Sequence, residues 1–257
     1  MGSPTQILQK YWGHTTFRSP QLEIINSVLD NKDCIVLLPT GGGKSICFQI
    51  PTMQLKGVCI VISPLIALMQ DQVQNLIAIG IKAVALNSQL SQEELIQTFD
   101  NIQYGNIKFL FLSPEKLQSK FIQEKIKQLN VSLIAIDEAH CISEWGHDFR
   151  PSYLKLTVLK ELTNNATTIA LTATATATVL NDIKRNLNLI NPLTFKKSYF
   201  RSNLVFSVLE TNNIYNRLLS ILVKINGSCI VYAGTRRETK EVANYLLKNK
   251  DKPIIIH

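Results

Sequence analysis

Short runs of β-branched and other apolar residues recur along this chain, separated by longer stretches whose apolar positions return every three or four residues. Residues 34–38, 58–62, 83–86, 109–112, 133–136 and 168–171 are apolar almost throughout. A strand with one wet face alternates apolar and polar positions, so near-continuous apolar runs predict a sheet covered on both faces. Residues 44–54, 65–79 and 92–103 carry helical spacing between those runs, and strands joined by crossover helices lie parallel. Upstream, Ser19 as N-cap with Pro20 at the first helical position predicts a helix through about Leu29. The expected fold is α/β, a doubly wound parallel sheet with helices on both faces.

The pattern breaks at Asn191-Pro192, and residues 194–209 are extended and interrupted by polar positions. A helix over 215–224, a strand over 228–232, a helix over 236–247 and a strand beginning at 253–256 then repeat the alternation. These features predict a first domain over 1–205 and the start of a second over 206–257. About 50 residues are too few for an α/β domain of this type, so the second is expected to be incomplete.

The chain has 257 residues, of which 46% are hydrophobic and 18% charged, values that exclude a disordered or fibrous protein. No apolar run comes near the roughly 20 residues that a membrane helix needs. With no basic-then-apolar leader at the start, a cytoplasmic protein without membrane partners is expected. The cysteines Cys34, Cys47, Cys59, Cys141 and Cys229 are odd in number and form no C-x-x-C, which predicts buried, reduced thiols. Four scattered histidines build no metal cluster from local spacing. A net charge of +8 points weakly to a polyanionic partner and decides nothing alone.

Three strand ends carry candidate chemistry. After the first predicted strand stands Leu38-Pro39-Thr40-Gly41-Gly42-Gly43-Lys44-Ser45, leading into a predicted helix. The glycines let successive backbone N–H groups and the helix N-terminus face phosphate oxygens. Lys44 would reach the β- and γ-phosphates, and the Ser45 hydroxyl would ligate Mg²⁺. The usual phosphate-loop pattern has glycine where Leu38 stands, so a search for that pattern misses this loop. After the strand at 133–136 come Asp137 and Glu138, at the carboxyl edge where α/β folds bind ligands. Asp137 would hold Mg²⁺ and Glu138 would orient and deprotonate the attacking water. By itself such a pair is equally a helix N-terminus. Thr172-Ala173-Thr174 stands at a third strand end, either linking the nucleotide site to another surface or forming a turn with N-cap threonines.

Taken together, Gly41-Gly42-Gly43-Lys44-Ser45, Asp137-Glu138-Ala139-His140 and Thr172-Ala173-Thr174 resemble the motifs of superfamily-2 helicases. The stretch from Cys141 through Trp145, His147, Phe149, Arg150 and Tyr153 resembles the aromatic-rich loop of RecQ-type DNA helicases. Tyr11-Trp12-Gly13 with Phe17-Arg18 and Gln21 is similar to that family's adenine-recognition motif, in which the glutamine reads the base. Ser63-Pro64-Leu65 with Gln70-Asp71-Gln72, and Ser113-Pro114-Glu115-Lys116-Leu117, resemble its two DNA-backbone motifs. Phe200-Arg201-Ser202-Asn203-Leu204 resembles its interdomain segment, Ile230–Arg236 the start of its second motor domain, and His257 the histidine of its Y-H-A-G-L stretch. The likeness covers essentially all of residues 4–257.

That resemblance implies a RecA-like fold, ATP and Mg²⁺ as cofactors, and no structural zinc in this chain. It also implies a catalytic set of Lys44, Asp137, Glu138 and His140, with Phe17, Arg18, Gln21 and residues 40–45 around the nucleotide. Ser63, Pro64, Trp145, His147, Phe149, Arg150, Thr172 and Thr174 would contact DNA or couple it to turnover. The activity implied is ATP-driven 3′→5′ movement on single-stranded DNA and unwinding of tailed or forked duplexes in repair and recombination. A monomer, nucleoid-associated if bacterial, is expected. In the family the second motor domain supplies arginines, so this chain alone is expected to bind ATP and DNA without efficient unwinding. Two alternatives stay open: a nucleotide- and DNA-binding module without turnover, and an RNA-directed motor. On physical grounds, the aromatic loop suits sequence-independent stacking on bases, at about 1–3 kcal/mol each. Otherwise Trp145 and Phe149 cap the core and Arg150 pairs with Asp148.

Overall fold

The computed structural model describes residues 2–86, 91–146, 148–198 and 203–249. The chain divides into two compact units, Met1–Phe200 and Arg201–His257. The strands of the first unit are β1 (Cys34–Leu37), β2 (Val58–Ile62), β3 (Ala83–Ala85), β4 (Phe109–Leu112), β5 (Val131–Ile136), β6 (Thr168–Thr172) and β7 (Leu193–Lys196). They form one parallel sheet in the order β3-β4-β2-β5-β6-β1-β7. The helices are α1 (Pro4–Trp12), α2 (Gln21–Leu29), α3 (Ile46–Gln54), α4 (Ile66–Ala78), α5 (Gln92–Tyr104), α6 (Lys120–Lys127), α7 (Val158–Leu162) and α8 (Ala177–Asn186).

Alternate strand residues feed two separate cores, which is why the runs lack polar positions. Ile60, Ile62, Leu110, Leu112, Ile134 and Ile136 pack with Phe99 of α5, Ile122 of α6, Leu159 of α7 and Ile183 of α8. Their neighbours Cys59, Val61, Phe109, Phe111, Leu133 and Ala135 pack with Ile24 of α2, Phe48 of α3 and Met69 of α4 on the opposite face. The expected two-faced α/β sheet is therefore present.

Local chemistry sets the helix ends. Ser3 and Gln6 cap α1 reciprocally, through Gln6 N–H to Ser3 Oγ at 3.3 Å and Ser3 N–H to Gln6 Oε1 at 2.7 Å, and Gly13 closes it at φ 71°. The expected cap of α2 is corrected. Pro20, not Ser19, holds the cap position and no side chain bonds there. Gln21 Oε1 instead accepts the Arg18 N–H at 2.9 Å, because both residues are drawn toward the glycine loop.

The buried Asp33, just before β1, ties the amino edge together. Its two carboxylate oxygens lie 2.9 and 3.0 Å from Lys160 Nζ and accept the Thr168 and Ile190 N–H groups at 2.8 and 3.1 Å. Removing one partner of a buried pair strands the other charge, so Asp33→Ala is expected to cost about 3–5 kcal/mol. Urea unfolding measures it, and a loss below about 1 kcal/mol, the worth of a surface pair, would contradict the buried role.

In the second unit, α9 (Ile214–Lys224) and α10 (Arg236–Asn249) pack through Leu222, Ala243 and Leu246, with the Tyr215 and Tyr245 rings 5.1 Å apart. The strand expected at 228–232 does not form. Ile230 and Tyr232 are 79% and 90% exposed, and no strand among the described residues of this unit offers a ladder to join. Tyr199–Ser202 and the strand expected at 253–256, with His257, lie outside the described residues.

Candidate active site at the carboxyl edge of the sheet

The register decides what meets at this edge. Leu37 pairs with Thr172, and Ile62 pairs with both Ile136 and Leu112. The loop after β1, Ser63 after β2, Ser113 after β4, Asp137-Glu138 after β5 and Thr172-Thr174 at the end of β6 thus converge on one side.

In the glycine loop, Gly41 and Gly43 adopt φ of 77° and 75°, backbone that side chains resist. A Cβ on Gly43 would also collide with Gln21 Nε2. Leu38, the departure from the usual pattern, is buried in the core, and its carbonyl accepts Lys44 Nζ at 3.3 Å. The helix behind the loop opens at Ile46 rather than at the expected Lys44, leaving Lys44 and Ser45 in the turn. Gln21 clasps this loop from α2, its Nε2 donating to the carbonyls of Gly43 at 3.1 Å and Gly42 at 3.3 Å. Arg18 Nη1 donates to the Gly41 carbonyl at 2.9 Å, and Phe17 packs beside them against Ile7, Leu8, Ile25 and Ile50. The residues expected to recognise adenine therefore hold the glycine loop through its backbone. Thr40 is exposed at the loop's tip.

Across the edge, Asp137 is buried and its N–H donates to Ile62 O at 2.8 Å. Burial pushes its carboxyl up to about 6, and the charge of Glu138 adds to that. The Glu138 N–H, the Lys44 charge and the Gln72 side chain pull the other way. Glu138 occupies the left-handed region at φ 46°, an uncommon conformation for a long side chain. His140 joins three elements: Nδ1 lies 2.9 Å from Thr172 Oγ1 and 3.3 Å from Glu138 Oε2. The Thr172 hydroxyl donates to Thr174 O at 3.0 Å, so the proton between His140 and Thr172 belongs to His140 Nδ1. Thr174 itself is exposed, and the helix cap is Thr176, whose Oγ1 accepts the Val179 N–H at 3.3 Å.

Two buried side-chain oxygens here, Ser63 Oγ and Gln72 Oε1, have no partner. With a buried carboxylate beside a second one and the Ser45 hydroxyl on the facing loop, they make a hard-oxygen donor set that fits Mg²⁺.

The aromatic loop hangs directly from this centre. Trp145 is 76% exposed and does not cap the core, whereas Phe149 is half-buried. Arg150 pairs with Asp148 at 3.1 Å, as the blander expectation had it, and also donates to Pro64 O at 3.1 Å. Tyr153 is corrected as a base-stacking candidate: it is fully buried, and its hydroxyl donates to Asp137 O at 2.9 Å. A ring enclosed by core residues has no face left for a base. His147 lies outside the described residues. Four cysteines are buried, with burial pushing their thiols up to about 12, but Cys229 is exposed, against expectation.

A cavity of about 940 Å³ opens at the opposite, amino edge, between Asn31, Asn130, Asn164 and Asn191. None of the unpartnered buried atoms lines it. The chemistry lies at the carboxyl edge.

A parallel α/β sheet with a glycine-lysine loop after β1 and paired carboxylates after β5 defines a RecA-like nucleotide-binding motor domain. Residues 18–183 match the family described as DEAD/DEAH box helicase, and the chain belongs to that family. It is 45% identical, over 93% of its length, to a probable ATP-dependent DNA helicase RecS of Bacillus subtilis. To the ATP-dependent DNA helicases RecQ of Pasteurella multocida and B. subtilis it is 41% and 42% identical, over 95% of its length in each case. The chain spans 48%, 39% and 42% of the lengths of those three relatives. Among solved structures, the DUF1998 helicase MrfA has the same fold, with a TM-score of 0.75, 18% identity and coverage of 96% of this chain and 41% of that one. No helix among the described residues is long and apolar enough to cross a membrane.

Proposed function

We propose that this chain is the ATP-binding motor part of a RecQ-type DNA helicase that moves 3′→5′ on single-stranded DNA and opens tailed or forked duplexes. The observation that carries this reading is the direct suspension of the Trp145 loop from the hydrolytic centre, through Tyr153 Oη to Asp137 O and Arg150 to Pro64 O. A base stacked on Trp145 pulls on a loop whose next fixed points are Asp137 and the start of α4.

The proposed roles follow from position. Residues 40–43 line the phosphates with backbone N–H groups, and Lys44 neutralises the β- and γ-phosphates. Ser45 and Asp137 hold Mg²⁺, which when bound supplies positive charge to the phosphate oxygens. Glu138 takes the proton of the attacking water, its Oε2 lying 3.3 Å from His140 Nδ1. Gln21 reads adenine from α2 while its amide holds Gly42 and Gly43. Ser63, Pro64, Trp145, His147, Phe149, Arg150, Thr172 and Thr174 bind or couple DNA. Residues 1–205 serve as the first motor domain and 206–257 as the beginning of the second. The chain covers less than half of its relatives' length and, by this proposal, binds ATP and DNA without efficient unwinding by itself. It acts as a monomer, in the cytoplasm.

Trp145→Ala is expected to cut the ratio of ATP turnover with single-stranded DNA to turnover without it by roughly tenfold, since one base-stacking platform is worth about 1–3 kcal/mol. A ratio equal to the parent's makes the loop structural. Equal affinity for DNA and RNA of one sequence would favour the RNA-directed alternative.

A further inference from the structure

Trp145 is 76% exposed, so its direction comes from the backbone that carries it. One buried residue, Ser143, fastens that backbone. Its N–H donates to His140 O at 3.2 Å, and its carbonyl accepts the Gly146 N–H at 2.9 Å. Its Oγ accepts the Trp145 N–H at 3.2 Å and donates to Asp182 Oδ2, in α8, at 2.7 Å. A serine hydroxyl has a single proton, so directing it at Asp182 leaves the oxygen's lone pairs for the Trp145 N–H. Gly146 closes the turn where nothing larger fits: a Cβ there would lie 2.5 Å from His140 O and 3.0 Å from Ser143 O.

Asp182 stands 39 positions from Ser143 and joins the loop to another strand end. Its helix is capped by Thr176, two residues after Thr174, and Thr172 Oγ1 lies 2.9 Å from His140 Nδ1. The path from Thr172 through α8 to Asp182, then Ser143 and back to His140 is therefore closed. Asp182 Oδ1 turns outward to the largely exposed Arg185, whose Nη2 is 2.8 Å away. A carboxylate this close to a DNA-stacking loop repels phosphate, so attraction of DNA does not account for it.

We propose that Asp182 is a positioning residue for DNA: it holds the Ser143 hydroxyl, which holds the Trp145 N–H, and so presets the stacking loop before a strand arrives. This role deepens the DNA reading of the Trp145 loop given above and rests on it. A loop already held in its binding conformation loses less freedom when it binds, and the saving appears as affinity.

The test is fluorescence anisotropy of a labelled oligothymidylate titrated with the whole 257-residue chain at one fixed salt concentration. Asp182→Ala is expected to weaken binding about fivefold, part of the roughly tenfold expected of Trp145→Ala. Charge alone predicts the opposite sign, because losing a carboxylate and releasing Arg185 both favour phosphate. Asp182→Asn removes the same charge but keeps an acceptor for Ser143, so it is expected to bind at least as tightly as the parent. Ser143→Ala should weaken binding as Asp182→Ala does, with no further loss when the two are combined. In a Trp145→Ala background Asp182→Ala should change nothing, a result that a general folding defect would not give. Circular dichroism and ATP-analogue binding at the parent's level accompany each variant, and if Asp182→Ala does not fold, Ser143→Ala with and without Trp145 decides instead. Parent-like or tighter binding by Asp182→Ala, no rescue by Asp182→Asn, or an equal loss with and without Trp145 overturns the role of Asp182. An oligothymidylate bound by the parent, and less tightly by Trp145→Ala, leaves the DNA reading standing in each of those cases. A parent that binds no oligothymidylate, or binds it equally well without Trp145, overturns that reading and this inference together.

Discussion

Lys44→Ala is expected to weaken ATP binding by at least about 100-fold, which corresponds to roughly 2.7 kcal/mol. The ammonium sits in the turn between Gly43 and α3, held over the loop by Leu38 O at 3.3 Å, and its charge acts on Asp137. Charge-assisted hydrogen bonds contribute about 1.5–3 kcal/mol each, and an ammonium facing two phosphates makes more than one. Lys44→Arg should rescue little, because the planar fork does not reproduce a compact point charge held against the Leu38 carbonyl. Equilibrium titration of ATP against both variants checks this. Affinity equal to the parent's in Lys44→Ala would remove the loop from the nucleotide site.

Glu138→Gln is expected to leave ATP bound and to slow phosphate release by about 10²–10⁴-fold, the range for loss of a general base. The substitution keeps the shape of the side chain and its position beside His140 Nδ1, 3.3 Å away, and takes away only the proton acceptor. Single-turnover phosphate release is the suitable measurement, since it registers slow chemistry on bound nucleotide. A rate within about twofold of the parent's would take Glu138 out of the general-base role. Together the two variants separate binding from chemistry: one loses both, the other only the second.

The central strands were legible because they are covered twice. Residues 58–62 and 109–112 have apolar side chains on both faces, and the structure starts and ends β2 and β4 at those residues. The edge strand β7 was not legible, since three of its four residues are exposed and Thr194 and Lys196 break the run. The run at 228–232 misled in the opposite sense: strand propensity is only half a strand until a neighbour supplies the ladder. Boundaries moved where a side chain had another task, as at Ser19-Pro20, where Gln21 and Arg18 serve the glycine loop instead of a cap.

The candidate site divides in the same way. Residues 40–45 and 137–138 could be read because phosphate and metal chemistry restricts which residue types stand in sequence at a strand end. Leu38 shows that even this signal tolerates an exception, its side chain belonging to the core and only its carbonyl to the site. The role of Tyr153 as a strut could not be read. Its hydroxyl reaches the Asp137 carbonyl across 16 positions of sequence, and only the fold brings the two together. Tyr153, grouped with exposed Trp145 by composition, turned out to be a buried strut.

The most direct test of the account is equilibrium binding of ATP to the 257-residue chain, with and without Mg²⁺ and single-stranded DNA, beside Lys44→Ala. The account predicts ATP binding that Mg²⁺ strengthens and that Lys44→Ala abolishes. ATP binding that is absent, or that Lys44→Ala leaves intact, would contradict it.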